Sequence, residues 1–311
     1  MPKIEDYALL GDLHTAALVS TAGSIDWLCL PRFDSPAAFA ALLDNDQAGH
    51  WTLAPAAASR SATRRYGGNT LVLETDWVTA DGAVRVIDFM PPRAGTPHLV
   101  RIAVGLSGEV AMRSVLRLRF DYGRVVPWVR HHGSRADAIA GPDRVRLMSA
   151  VPMDGDDRET LADFTVRTGD RVWFVLSWAP SHEPEMPYVD PEQALSATAE
   201  FWTEWSGHAA YHDGPYRDAV DRSLITLKGL TYEPTGGIVA AATTSLPEEL
   251  GGVRNWDYRY CWLRDAYFVV KALNRIGATQ TMEDFISFTL GIASNPNEPL
   301  RPVYGVDGSL G

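Results

Sequence analysis

Lysine, cysteine and long apolar runs are all scarce in this sequence. Three of its 28 basic residues are lysines (Lys3, Lys228 and Lys271), leaving 25 arginines that form no stripe. Against them stand 39 acidic residues, for a net charge of −11. That balance disfavours nucleic acid and anionic membranes as partners, and has no bearing on a neutral ligand such as a sugar. The two cysteines, Cys29 and Cys261, are too few for a disulfide scaffold, and their apolar, aromatic company reads as two buried thiols in a reducing compartment. No run approaches the ~18 apolar residues of a membrane span. Met1 to Leu10 carries Lys3, Glu5 and Asp6 and lacks the apolar core of a secretory signal. A cytoplasmic protein is expected.

Several chemistries are missing as well. His14, His131 and His132 are scattered, and neither His-x-Glu-x-x-His nor Cys-x-x-Cys occurs, so no metal site is expected. Gly67-Gly68 and Gly236-Gly237 read as turns, without the strand-loop-helix setting of a phosphate cradle. There is no Gly-x-Ser-x-Gly elbow. No cofactor is expected, and the sequence sets no oligomeric state.

What is present is globular: 311 residues, 46% hydrophobic and 22% charged, enough for about two domains. Up to about residue 188 the pattern is that of strands. Leu71 to Thr79, Asp81-Gly82 and Ala83 to Ile87 predict a hairpin with both turn residues at positive φ. Arg113 to Phe120 alternates like a half-buried strand, and Thr160 to Val166, Thr168-Gly169-Asp170 and Val172 to Trp178 read as a second hairpin. Ser107-Gly108, Gly141-Pro142-Asp143 and Asp154-Gly155-Asp156 punctuate the rest. Many strands with short turns predict an antiparallel sandwich, with tryptophans such as Trp173 and Trp178 in its core.

After Pro187 the period becomes helical. Asp190-Pro191 supplies an N-cap and a first-turn proline, and Ala194, Leu195, Thr198, Phe201, Trp202 and Trp205 follow at helical spacing to Gly207. This is a linker helix over about 189–208. A second helix opens at Asp213-Gly214-Pro215 with Tyr216, Val220, Leu224, Leu227 and Leu230 on one face. A third runs from about Cys261 to Ile276, stopped by Gly277. A fourth, Thr281 to Ile292, is expected to bury Met282, Phe285, Ile286, Thr289 and Leu290.

The richest stretch for chemistry is Asn255 to Asp265, N-W-D-Y-R-Y-C-W-L-R-D. On the third helix Trp262, Ala266, Val269, Leu273 and Ile276 form an apolar stripe, and Asp265 lies within it. A carboxylate there needs a partner, and Arg264 or Arg259 is in reach. Two readings stay open. In one, an Arg–Asp network braces a helix start, the carboxylate favoured by the positive end of the helix dipole. In the other, arginine and aspartate hold sugar hydroxyls while Tyr258 and Trp262 stack on the C–H face of the ring, a use consistent with ten tryptophans in the chain.

That run resembles the signature opening the catalytic domain of glycoside hydrolase family 15, which contains glucoamylases, glucodextranases and bacterial trehalases. Ile4 to Asp12 and Gly23-Ser24-Ile25-Asp26-Trp27 through Pro31-Arg32-Phe33-Asp34-Ser35-Pro36 resemble the N-terminal domain of the trehalase-like branch. The resemblance implies a β + α multidomain chain. Its parts are an N-terminal antiparallel β-sandwich of the supersandwich type (1–188), a linker helix (189–208) and the first three of twelve helices of an (α/α)6 barrel (209–311). It implies that Tyr258, Trp262, Arg264 and Asp265 bind a small-molecule glucoside at its non-reducing-end glucose, with Asp257 and Arg259 orienting them. Pro31 to Asp34 could reach the barrel mouth, although a surface turn with an Arg–Asp pair is the simpler reading.

The implied activity is inverting hydrolysis of α-glucosidic bonds, releasing glucose, with trehalose favoured over maltose or short α-glucans. Such chemistry uses an acid and a base roughly 6.5–9.5 Å apart. In the family both are Glu residues on later helices. Glu248, Glu249, Asp284, Glu298 and Asp307 match neither motif, so no catalytic residue is assigned. The chain is accordingly expected to be a fragment, inactive alone, with unpartnered apolar faces such as Leu273/Ile276 and Phe285/Leu290. The alternatives are a non-catalytic carbohydrate-binding piece and a structural fragment.

Overall fold

A computed structural model of the chain describes residues 2–207, 214–244, 249, 251–294 and 299–310. Strands dominate up to Pro180. They are β1 (Ala8–Gly11), β2 (Ala16–Val19), β3 (Ser24–Cys29), β4 (Ala37–Phe39), β5 (His50–Pro55), β6 (Ser61–Tyr66), β7 (Leu73–Val78) and β8 (Gly82–Phe89). The long β9 (His98–Arg117) follows, then β10 (Trp128–His132), β11 (Arg135–Ala140), β12 (Asp143–Ser149), β13 (Asp154–Asp156), β14 (Glu159–Arg167) and β15 (Arg171–Pro180).

β9 organises the domain, and every ladder it makes is antiparallel. Its first half pairs with β8 (Phe89 opposite Val100) and β15 (Ser177 opposite His98), and its second half with β5 (His50 opposite Arg117) and β14 (Thr160 opposite Leu116). The strand thus belongs to two half-sheets. One runs β6-β7-β8-β9-β15-β12-β11-β10; the other runs β1-β2-β3-β5-β9-β14-β13, with β4 on β3. Apolar side chains of both share one core, Trp51, Leu53 and Val110 from one half and Val84, Val86 and Leu176 from the other. Two packed, alternating faces are what the sequence pattern calls for.

The crossing corrects two expectations. Ser107-Gly108 does not end a strand: Gly108, at φ +65, lies inside β9, close to a register shift at Ala83/Val84. The turn at Thr168–Asp170 is present, but β14 and β15 do not form a hairpin, because they leave it for opposite half-sheets. Gly105 makes this corner possible. It exchanges backbone hydrogen bonds with Gly169 and Asp170, and a Cβ on it would stand 1.9 Å from the Arg167 carbonyl oxygen. Local turn chemistry is the same for a hairpin and for such a corner, so sequence does not separate them.

Two further turns differ in detail. The β7–β8 hairpin forms, but neither Asp81 nor Gly82 takes a positive φ. The Thr79 hydroxyl instead accepts both their N–H groups at 3.2 Å. Asp154-Gly155-Asp156 is strand β13, and its turn falls at Asp157 and Arg158, with φ +40 and +65.

Helix α1 (Pro191–Gly207) begins as expected, Asp190 Oδ1 accepting from the N–H groups of Glu192 and Gln193 at 3.0 and 2.9 Å. Ala194 packs on Val72, Ile87, Phe89 and Ile102, the outer side of the half-sheet that contains β8 and β15, while Trp202 reaches Leu13, Leu71 and Ile225. Helix α2 (Arg217–Gly229) is rotated from the predicted face: Asp221, Leu224, Ile225 and Lys228 are buried, while Tyr216 and Val220 are exposed. Polar anchoring accounts for the rotation. Asn69 donates to Asp221, Arg222 donates to the Thr70 carbonyl, and the Arg222 guanidinium lies 3.9 Å from the Tyr66 ring centroid. Asp213, in the predicted opening, lies outside the described residues.

Short pairings β16 (Thr231–Tyr232) with β17 (Gly237–Ile238) and β18 (Cys261–Trp262) with β19 (Val303–Tyr304) frame α3 (Leu263–Arg275) and α4 (Thr279–Ile292). Gly277, at φ +84, ends α3 as predicted. α4 buries Thr281, Phe285 and Phe288, whereas Ile286 and Leu290 face outward. Its orientation follows from Phe285 and Phe288 packing on Ile238, Ala266 and Tyr304. Leu273 is fully buried rather than unpartnered, and the exposed apolar groups of this region are Tyr267, Phe268, Ile286 and Leu290. Among the described residues no helix is long and apolar enough to cross a membrane, which says nothing of a strand-built barrel.

Candidate functional site

The segment entering α3 passes through a turn and bend at residues 258–260, where the Arg259 N–H donates to Asp257 Oδ1 at 3.0 Å, before strand pairing begins at Cys261. Thr244 bridges to Asp257, the Ala241 N–H donates to the Tyr258 carbonyl at 2.9 Å, and Cys261–Trp262 pairs with Val303–Tyr304. Arg259 and Cys261 are buried, while Tyr258, Tyr260 and Trp262 are half-buried. A helical stripe is the wrong frame for 257–262, because helix α3 begins only at Leu263.

The two Arg–Asp pairs consequently sit in different environments. Arg259, 4% exposed, forks onto Asp257, with Nε to Oδ1 at 2.9 Å and Nη2 to Oδ2 at 2.6 Å. Its Nη1 donates to the Ser35 carbonyl at 2.7 Å and lies 3.4 Å from Cys29 Sγ, with the rings of Trp27 and Tyr122 flanking it. Both anchors beyond Asp257 belong to the β domain, so this pair bolts the α3 entry onto that domain. It does not pair with Asp265. Hydrogen bonding to Asp257 overrides burial and raises the Arg259 pKa, leaving it a fixed cation.

Arg264 and Asp265 lie in the first turn of α3. Arg264 Nη2 donates to Asp265 Oδ2 at 3.0 Å, with side chains 70% and 39% exposed. The carboxylate is near the positive end of the helix. Trp262 stands between the two pairs. Its Nε1 donates to the Asp257 carbonyl at 2.8 Å, Tyr258 meets it edge-on at 6.0 Å, and Arg264 lies 5.8 Å from its ring centroid. Trp256, which sequence reading passed over, joins them edge-on at 6.1 Å and is half open to solvent. The structure thus gathers Trp256, Tyr258, Trp262, Arg264 and Asp265 into an open aromatic and ionic shelf, with Asp257 and Arg259 behind it.

The segment after cis Leu30–Pro31 also differs from a plain surface turn. Arg32 does pair with Asp34 (Nε to Oδ1, 2.9 Å), but it also donates to Asp307 at 2.7 Å, while Phe33 is buried with Tyr232, Val239 and Val306. The Asp307 carboxyl is lowered to about 2, chiefly by the Ser309 hydroxyl, with Arg32 adding to it. That direction is opposite to what a general acid needs. Of the other carboxylates considered, Asp284 accepts from Gln280, and Glu248 and Glu298 lie outside the described residues. Among the described residues no three His, Cys, Asp or Glu side chains converge as a metal site would require. Both cysteines are buried and free, and burial pushes each thiol up to about 11.

The fold matches a structure described as a bacterial glucoamylase complexed with acarbose at a TM-score of 0.66, with 11% identity, over 99% of this chain and 52% of that one. Residues 1–154 match the family described as trehalase-like, N-terminal, and residues 214–310 match glycosyl hydrolases family 15. By these two matches the chain is similar to family 15, in its trehalase-like branch. It is 37% identical to the trehalases of Mycobacterium tuberculosis and Mycolicibacterium smegmatis, over 99% of its own length and 49% and 50% of theirs. A trehalase of Thermoplasma volcanium is 30% identical over 99% of this chain and 50% of that protein. The chain spans about half the length of these curated relatives.

Proposed function

We propose that the chain supplies the glucose-holding part of an inverting α-glucoside hydrolase acting on trehalose. Tyr258, Trp262, Arg264 and Asp265 grip the ring, and Asp257 and Arg259 orient them. The observation that carries this reading is the split between the two Arg–Asp pairs. The buried pair fastens the segment, whereas Arg264–Asp265 is open, next to aromatic rings. An exposed pair adds only about 0–1 kcal/mol to stability, so its groups can exchange each other for sugar hydroxyls at little cost. The relatives' trehalase names favour trehalose over maltose or longer α-glucans.

In this proposal the two half-sheets are a supersandwich over 1–188, α1 is a linker over 189–208, and α2 to α4 belong to an (α/α)6 barrel over 209–311. The acid and base lie outside the residues named above, and the chain alone does not turn substrate over. Two buried free thiols favour a reducing, cytoplasmic setting. A non-catalytic carbohydrate-binding role is the second reading, favoured by the ion-paired state of Asp257, Asp265 and Asp307.

Titration calorimetry of the chain with trehalose, maltose and glucose tests the shelf. Saturable binding lost in Asp265→Ala is expected. Undiminished binding by that variant, or no binding at all by the folded chain, would remove the assignment. Glucose release from trehalose by the chain itself would refute the placement of acid and base elsewhere.

A further inference from the structure

The β domain contains a cavity of about 310 Å³, walled by β9 to β12 and roofed by the β13–β14 turn. Leu118, Ala138, Val145 and Leu147 make one side of it aliphatic, and charged residues of the β13–β14 turn make the roof. Arg119 stands out on the wall. It is 4% exposed, and its side chain makes one hydrogen bond, from Nη1 to the neighbouring Leu118 carbonyl at 2.7 Å. It has no ion pair among the described residues. Of the carboxylates that line the cavity, Glu159 is engaged by Arg117 at 2.6 Å, and Asp156 and Asp157 are exposed at the rim. His131, on the wall as well, faces the Thr160 hydroxyl at 3.0 Å. Burial, reinforced by Arg117 and Arg158, lowers the Arg119 pKa against the pull of Glu159 and Asp157.

A desolvated guanidinium without a counter-ion is costly, and an anion delivered to it relieves that cost. An inorganic anion would leave the aliphatic side wet. We propose that this cavity binds a small amphiphilic carboxylate, its acid group on Arg119 and its aliphatic body against Leu118, Ala138, Val145 and Leu147. The volume is at the lower end of ligand pockets, roughly 300–1,000 Å³, which limits the body to a short chain.

Titration calorimetry with hexanoate, octanoate and 1-octanol on the folded chain decides the matter. Octanoate saturates one site, affinity rises about fourfold per methylene from hexanoate, and 1-octanol binds at least tenfold more weakly. Arg119→Met abolishes the preference for acid over alcohol, and Ala138→Leu, which fills the cavity, weakens both. Folding of each variant is checked by circular dichroism. Absence of saturable octanoate binding by the parent chain, equal binding of 1-octanol, or unchanged binding by either folded variant overturns the proposal.

Discussion

Removing Asp257 and removing Asp265 are chemically the same change one helical entry apart, and the structure assigns them opposite consequences. Asp257→Ala leaves the Arg259 guanidinium buried, with the Ser35 carbonyl as its main remaining acceptor. Breaking a buried pair from one side costs about 3–5 kcal/mol. Asp257 is 31% exposed, so water can replace part of its role and the lower figure, about 3 kcal/mol, applies. For a chain of this size that is roughly a 6 °C fall in melting temperature. Asp265→Ala breaks a pair whose members are 70% and 39% exposed, and its cost stays below about 1 kcal/mol. Urea unfolding followed by tryptophan fluorescence measures both, and calorimetry with trehalose measures binding in the same variants. The expected pattern is a stable Asp265→Ala that has lost the sugar and a destabilised Asp257→Ala. Equal destabilisation, or a larger loss in Asp265→Ala, would refute the division of labour between the two pairs.

Three other outcomes follow from the β domain and the thiols. Gly105→Ala puts a methyl group 1.9 Å from the Arg167 carbonyl oxygen, where backbone must move, so this variant should lose several kcal/mol or fail to accumulate as folded protein in a circular dichroism melt. Burial lowers His98 from 6.5 to about 4. The unfolded chain therefore takes up the proton first, and stability falls as pH drops from about 6.5 toward 4, by about 3 kcal/mol at most; His98→Gln should flatten that part of the urea-midpoint profile. Cys29 and Cys261, buried and raised to about 11, should react with a thiol reagent at pH 8 only after urea unfolds the chain.

Period and punctuation alone determined the strand-rich first part, the Asp190 cap, the start of α1, the stop at Gly277 and the inward-facing cysteines. Each depends on a few neighbouring residues: alternation, one carboxylate over two N–H groups, one left-handed glycine. The letters of Asn255–Asp265 also marked where to look. Tertiary structure alone decided what no local window contains. It sent β14 and β15 to opposite half-sheets, because Gly105 lets two backbones touch there. It turned α2 by gripping Asp221 and Arg222 from the β6–β7 connection, against a purely apolar reading of the helix. It also gave the two neighbouring Arg–Asp pairs different surroundings, since burial depends on Ser35, Cys29 and Trp27, more than 200 positions away in the chain. Sequence names the charged groups; which of them water can reach is set by packing between distant segments.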